Sequence, residues 1–250
     1  MFKRALESAM QELMTLKILI LILVFVGYTL SEVDFGQYYH LTVVEFVFHM
    51  LSDHFYLINI LPLFYLVCLI KLKKNKDILI LSRVRNYFDF WTYDLLILMI
   101  FTALFILLHV LIATFISLLL FPLTATVIMT PLPDNSSALN VYADRPSLLK
   151  LASLIGYQWL GLIYLGSLLR WLELYIPLKG IIFISLVSII GAMLSLSAVW
   201  DFPFLTINNY FILHHAIIKN AELKMITTMV SGFVVMFIAI KKGWGVKAYV

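Results

Sequence analysis

From Leu95 to Phe121 the chain runs 27 residues without a Lys, Arg, Asp or Glu, and only His109 in that stretch can titrate. A helix over this run is about 40 Å long at 1.5 Å per residue, more than the roughly 30 Å of hydrocarbon in a bilayer. Such a helix crosses a membrane with a tilt or projects from it. Five other apolar runs accompany it, at about 16–30, 55–70, 148–169, 181–200 and 225–240. The shorter ones can borrow flanking residues that snorkel. Of the 250 residues, 63% are hydrophobic and 13% charged, and the mean hydropathy is +1.01. A soluble domain is about half apolar and about a quarter charged. The expected fold is an all-α polytopic membrane protein of six transmembrane helices, with residues 1–250 as one transmembrane domain.

Charge sets the orientation. With the N-terminus inside and six crossings, the inner side collects 14 of the 18 Lys and Arg residues. They are Lys3, Arg4 and Lys17, the six between Lys71 and Arg85, Arg170 and Lys179, and Lys241, Lys242 and Lys247. Arg145, Lys150, Lys219 and Lys224 remain outside. This is the asymmetry that orients membrane helices, and it predicts both termini in the cytoplasm. Ahead of the first run, Phe2, Leu6, Met10 and Leu13 share one helical face, so residues 1–14 are expected to lie flat in the inner interface. Glu7 and Glu12 interrupt the basic start that a signal peptide would have. The single cysteine, Cys68, is read as an apolar packing residue.

Three outer segments differ in kind. Ser31 to His54 contains an apolar stretch from Leu41 to Leu51, expected to be a short helix near the outer surface. Glu45, His49 and Asp53 recur every four residues there and share a face. These residue types could bind zinc, but a solvated polar face on an outer helix is the expected account. Pro122 to Ser147 reads as a true loop, broken by Pro131 and Pro133. Asp201 to Asn220 is apolar yet interrupted at Pro203, Asn208 and Asn209, and each half is too short to span. A re-entrant hairpin fits, since broken backbone is tolerated at that depth when buried against protein.

Motifs for chemistry are sparse. The sequence has no Gly-rich phosphate loop, no Gly-x-Ser-x-Gly elbow and no His-Glu-x-x-His. With no Asp, Glu, Lys or Arg assigned near the centre of a span, coupling to protons is not expected. His109 and Gln158 are the polar groups deepest in the runs. They could line a substrate path or simply hydrogen-bond a neighbouring helix. Gly156, Gly161 and Gly166 recur every five residues and imply close packing of the fourth run. Between the second and third runs, Ile78, Leu81, Val84, Phe88 and Trp91 form one helical stripe, with Arg83 and Arg85 beside it. Two readings stand: a coupling helix that fits a cytoplasmic motor, or a surface helix held by acidic lipid.

This layout resembles the permease subunits of type-2 ABC exporters. The resemblance rests on the interfacial start at Met1 to Met14, the basic inner segment Lys71 to Asp94, the broken stretch Asp201 to Asn220, and the tail Lys241-Lys-Gly-Trp-Gly. Leu81-Ser-Arg-Val-Arg-Asn-Tyr-Phe-Asp-Phe-Trp91 is similar to the loop of small permeases in bacteriocin and toxic-peptide export clusters. The resemblance implies a non-catalytic chain in a bacterial cell membrane, paired with a second permease copy, identical or not. It also implies a separate cytoplasmic ATPase that carries the ATP and Mg, with no cofactor on this chain and no nucleic-acid partner. The segment around Ile78 to Trp91 would pass on the motor's closure, and the substrate would be hydrophobic, amphipathic or lipid-like. An intramembrane enzyme acting on lipid or peptide, or an immunity or scaffold protein, are the alternatives.

Overall fold

The computed structural model describes residues 7, 16–53, 56–57, 61, 65, 87–123, 148–172, 176–177, 179–180, 182–184, 186–187, 190, 210, 213 and 222–242. Among them there are helices and no strand. Six helices are continuous: α1 (Leu16–Ser31), α2 (Val33–Tyr38), α3 (Val43–Ser52), α4 (Tyr87–Leu120), α5 (Leu148–Leu172) and α6 (Glu222–Lys241). Four stretches are long and apolar enough to cross a membrane: Leu19–Tyr38, Trp91–Leu120, Leu148–Leu172 and Leu223–Lys241. Of the expected second run, Tyr56, Leu57, Leu61 and Tyr65 are described, all helical and buried. Most of the expected fifth run, the interfacial helix 1–14 apart from an exposed, helical Glu7, and Pro203, Asn208 and Asn209 lie outside the described residues.

The helices are built for a solvent that is not water. On α4, Leu107, Leu111, Phe115 and Leu118 are 50, 56, 65 and 54% exposed and line one outward face. The same helix turns Thr102, His109 and Ser117 inward, at 0, 1 and 0% exposure. A helix apolar all round belongs in a large core or a membrane. In lipid the apolar face gains nothing by being hidden, so polar and small side chains take the interior.

Neighbouring residues fix the directions of the helices. Gly36, Glu32, Tyr28 and Phe25 meet Phe46, His49, Asp53 and Tyr56 in turn, so α1–α2 runs antiparallel to the chain from Val43 downward. That chain also opposes α4. Phe46 stacks on Phe121 at 4.4 Å, Tyr56 meets His109 at 4.1 Å, and Tyr65 meets Phe105 at 5.9 Å. Along α4 and α5, Asp94 pairs with Arg170 while Leu98 lies against Gly166, which makes these two antiparallel. Between α5 and α6 the order is parallel: Tyr164 packs on Phe233, and farther along Leu168 and Trp171 share a cluster with Met236 and Ile240.

α3 corrects the expectation of a solvated outer helix. Every residue in it but Val44 is buried, including Glu45 and His49. It begins level with the far end of α4, where the Val43 N–H donates to the Pro122 carbonyl at 3.1 Å. From there it enters the bundle and packs against both α4 and α5. Its ends explain how a ten-residue helix holds there. Thr42 and Glu45 form a capping box: the Glu45 N–H donates to Thr42 Oγ1, and the Thr42 N–H donates to the Glu45 carboxylate at 2.8 Å. Two N-terminal donors are thereby satisfied. At the other end the Gln158 amide, from α5, donates to the Leu51 carbonyl, and the Ser52 hydroxyl reaches the carbonyls of Phe48 and His49.

The turn into α3 is equally specific. His40 takes a positive φ of 53°, its N–H donates to Gln37 O at 3.1 Å, and the Leu41 N–H donates to Gly36 O at 2.9 Å. This pair of bonds closes a helix whose next residue is left-handed. Gly36 itself must be glycine for space, since a Cβ there would meet Phe121 and Phe46 ring carbons at 2.7 Å.

Candidate functional site

Most polar groups inside the bundle are consumed by architecture. The Tyr65 hydroxyl lies 2.8 Å from Thr102 Oγ1 and donates to the Leu162 carbonyl at 2.9 Å, tying Tyr65 to α4 and α5. The Trp159 indole N–H donates to Met99 O at 3.1 Å. Gly166 makes room for Tyr65 and Leu98, whose nearest atoms lie 2.8 and 2.9 Å from where a Cβ would sit. Gly156, by contrast, has nothing within 4 Å of that position, so the glycines spaced by five do not act as a set.

One seam is different. It runs between α1–α2, the track from α3 to Tyr56, and α4, and it holds three polar rungs. In the first, His49 Nε2 lies 3.3 Å from Glu32 Oε2, with the imidazole stacked on Phe35 at 4.5 Å. In the second, the Tyr28 hydroxyl and the Tyr56 N–H (2.9 Å) both donate to Asp53 Oδ2. Asp53 is the residue where α3 stops, with φ −62° and ψ 131°, and its carboxylate caps the helical turn that follows. In the third, Tyr56 stacks on Tyr28 at 5.4 Å and meets the His109 ring at 4.1 Å. Phe25 and Phe105 then close the seam: Phe25 lies 4.8 Å from His109, and the two phenyl rings meet edge-on at 5.6 Å.

Exposure falls along the seam. The Glu32 side chain is 27% exposed and that of His49 11%, whereas Tyr56 and His109 are 1% exposed. His109 lies 11 residues from the end of α4 at Leu120, or about 16 Å along the helix. The expectation of a solvated polar face is therefore overturned at Glu45 and His49, which are buried, while Asp53 at the end of α3 is half-buried. Their polar face turns inward because each member finds a partner there: Thr42, Glu32 and Tyr28 respectively. The partners are separate, and among the described residues no three His, Cys, Asp or Glu side chains come together as metal ligands.

The residues singled out from the sequence are scattered. Gln158 caps α3, and His109 ends the seam. Trp91 and Phe88 belong to the first turns of α4 and pack on Phe237 of α6 at 6.1 and 4.8 Å, with Trp91 only 5% exposed. Ile78, Leu81, Arg83, Val84 and Arg85 lie outside the described residues. Tyr28, Tyr56 and Glu32 carry no motif of their own. The signal that leads to them is the ladder 45–49–53, together with the Thr42-x-x-Glu45 box that marks a helix start.

Among the described residues the structure thus defines an all-helical bundle with four helices long and apolar enough to cross a membrane and a polar seam inside. Comparison with known protein families, characterised proteins and solved structures finds no match for the chain.

Proposed function

We propose that this protein is the six-span permease subunit of an ABC exporter, with both ends in the cytoplasm. A separate cytoplasmic ATPase drives it, and it moves a hydrophobic or amphipathic substrate such as a peptide or lipid-like molecule. The observation that carries the reading is the clustering of charged ends. The start of α4, the end of α5 with Arg170, and the end of α6 with Lys241 and Lys242 occupy one end of the bundle. Residues 71–86, with six Lys and Arg, directly precede Tyr87 in sequence. A partner pushing on that end acts on α4, at 34 residues the longest of the described helices.

The parallel order of α5 and α6 supports six crossings, because an odd number of passages must lie between them. Tyr210 supports the hairpin. It stacks on Tyr164 at 5.4 Å, level with Phe233 and 11 residues into α6. That is about 16 Å deep at 1.5 Å per residue, and Glu222 at the start of α6 follows 12 residues later in the sequence.

Purification of the tagged chain from its own host's membranes tests the reading. An ATPase subunit should co-purify and the chain alone should hydrolyse no ATP, while Arg83→Ala with Arg85→Ala should release the partner. Phe88 is left intact because it packs on Phe237. Recovery without any ATPase would remove the exporter reading, and an undiminished complex in the double variant would remove the coupling role of this segment.

A further inference from the structure

We propose that the seam from Glu32 to His109 is a half-channel for water, reaching about 16 Å into the bundle from the end at Leu120 and stopped by Phe25 and Phe105. Its terminal site is formed by the Tyr56 hydroxyl and the His109 ring nitrogens, and its ligand is water itself.

The argument starts from three atoms. Tyr56 Oη, His109 Nδ1 and His109 Nε2 are buried and make no hydrogen bond. Each such orphan costs about 1–3 kcal/mol in a dry interior. The two side chains cannot satisfy one another, because their rings lie face against face, 33° apart at 4.1 Å. Phe25 and Phe105, which wall the site, offer neither donor nor acceptor. Tyr65, buried to 3%, shows the usual remedy nearby, with its hydroxyl fully engaged. A water needs two to four polar partners to settle in a protein interior, and Tyr56 with His109 presents three polar atoms.

The rungs above connect this site to the outside. His49, Asp53 and Tyr56 are four and three residues apart, and Glu32 and Tyr28 face them one turn apart on α1–α2. One helical turn rises about 5.4 Å. A water accepting from one group and donating to the next spans two bonds of about 2.8 Å each, so single waters match the spacing. The graded exposure, from 27% at Glu32 to 1% at His109, is that of a path open at one end. This inference is independent of the partner ATPase. The seam would be wet whether or not a motor binds the opposite end.

The test is hydroxyl-radical footprinting of the full chain in lipid nanodiscs, with microsecond X-ray pulses generating radicals from water in place. Tyrosine oxidation is read by peptide mass spectrometry. Tyr38, at 76% exposure, sets the upper level, and the buried, fully bonded Tyr65 sets the lower. Tyr56 should oxidise several-fold more than Tyr65 although both are buried. Equal yields at Tyr56 and Tyr65 would overturn the proposal in the unaltered protein. His109→Phe removes two of the three polar atoms and should lower the Tyr56 yield several-fold. A yield unchanged in that variant would show that the imidazole holds no water, and would also overturn it.

Discussion

Replacing Gln158 by methionine isolates one interaction on which the buried position of α3 depends. Methionine keeps the length and volume of the side chain and removes its donor. Leu51 is the penultimate residue of α3, and the last four carbonyls of a helix have no partner within it. In the native chain the Gln158 amide fills that vacancy from α5, 107 residues away, at 1% exposure. An orphaned acceptor in a dry interior costs about 1–3 kcal/mol, whereas hydrogen bonds between membrane helices average about 0.6 and reach about 1.7 kcal/mol. The two ranges overlap at about 1–2 kcal/mol, since here the acceptor is backbone and the donor is fully enclosed. That is a factor of about 5–30 in the folding equilibrium. The assay is equilibrium unfolding in mixed detergent and SDS micelles, followed by far-UV circular dichroism. A Gln158→Met variant as stable as the native chain would refute the capping argument. Loss of transport at unchanged stability would move Gln158 to a substrate path instead.

Two further substitutions probe the same region in the same assay. Gly36→Ala forces a Cβ to within 2.7 Å of the stacked Phe46 and Phe121 rings, and overpacking of this kind costs about 1–3 kcal/mol. Native-like stability would mean the two rings yield more easily than their stacking implies. Thr42→Val keeps the shape but deletes the hydroxyl that binds both the Glu45 N–H and its carboxylate. A lost N-cap costs about 0.5–2 kcal/mol, and restoring the hydroxyl with serine should recover most of it. Failure of serine to rescue would count against the capping box.

How much of this was readable in the sequence depends on whether a residue's partner is near in the chain. The long helices were legible because a run such as Leu95 to Phe121 needs no partner to declare itself. α3 was legible as a helix, and Thr42-x-x-Glu45 marks its start. Its placement was not. The ladder Glu45, His49, Asp53 looks like a solvated stripe under the rule that polar residues face water, and in lipid that rule inverts. What inverts it here are partners 17 and 25 residues away, Glu32 and Tyr28. His109 announced itself as the sole titratable group of its run, but the site it forms with Tyr56 is a tertiary fact. Trp91 completes a stripe that reads as a docking face, yet it is buried against α6.

The break at Asp53 is the least economical feature of the bundle, which makes its construction informative. A helix that ran unbroken through Asp53 would pair the Leu51 carbonyl within itself and need no help from Gln158 there. The observed chain leaves helical geometry at Asp53 and then recruits Gln158 for one end of the gap and the Asp53 carboxylate for the other. Broken backbone inside a membrane protein holds only where protein or water supplies the missing bonds. Gln158 on α5 and Glu32 beside α1 both hold α3, Tyr28 on α1 bonds Asp53 at the break, and Tyr65 beyond it bonds Leu162 of α5, so both neighbours grip the track. Asp53 sits where these bonds meet, and the rung it carries lies next to Tyr56 in the seam.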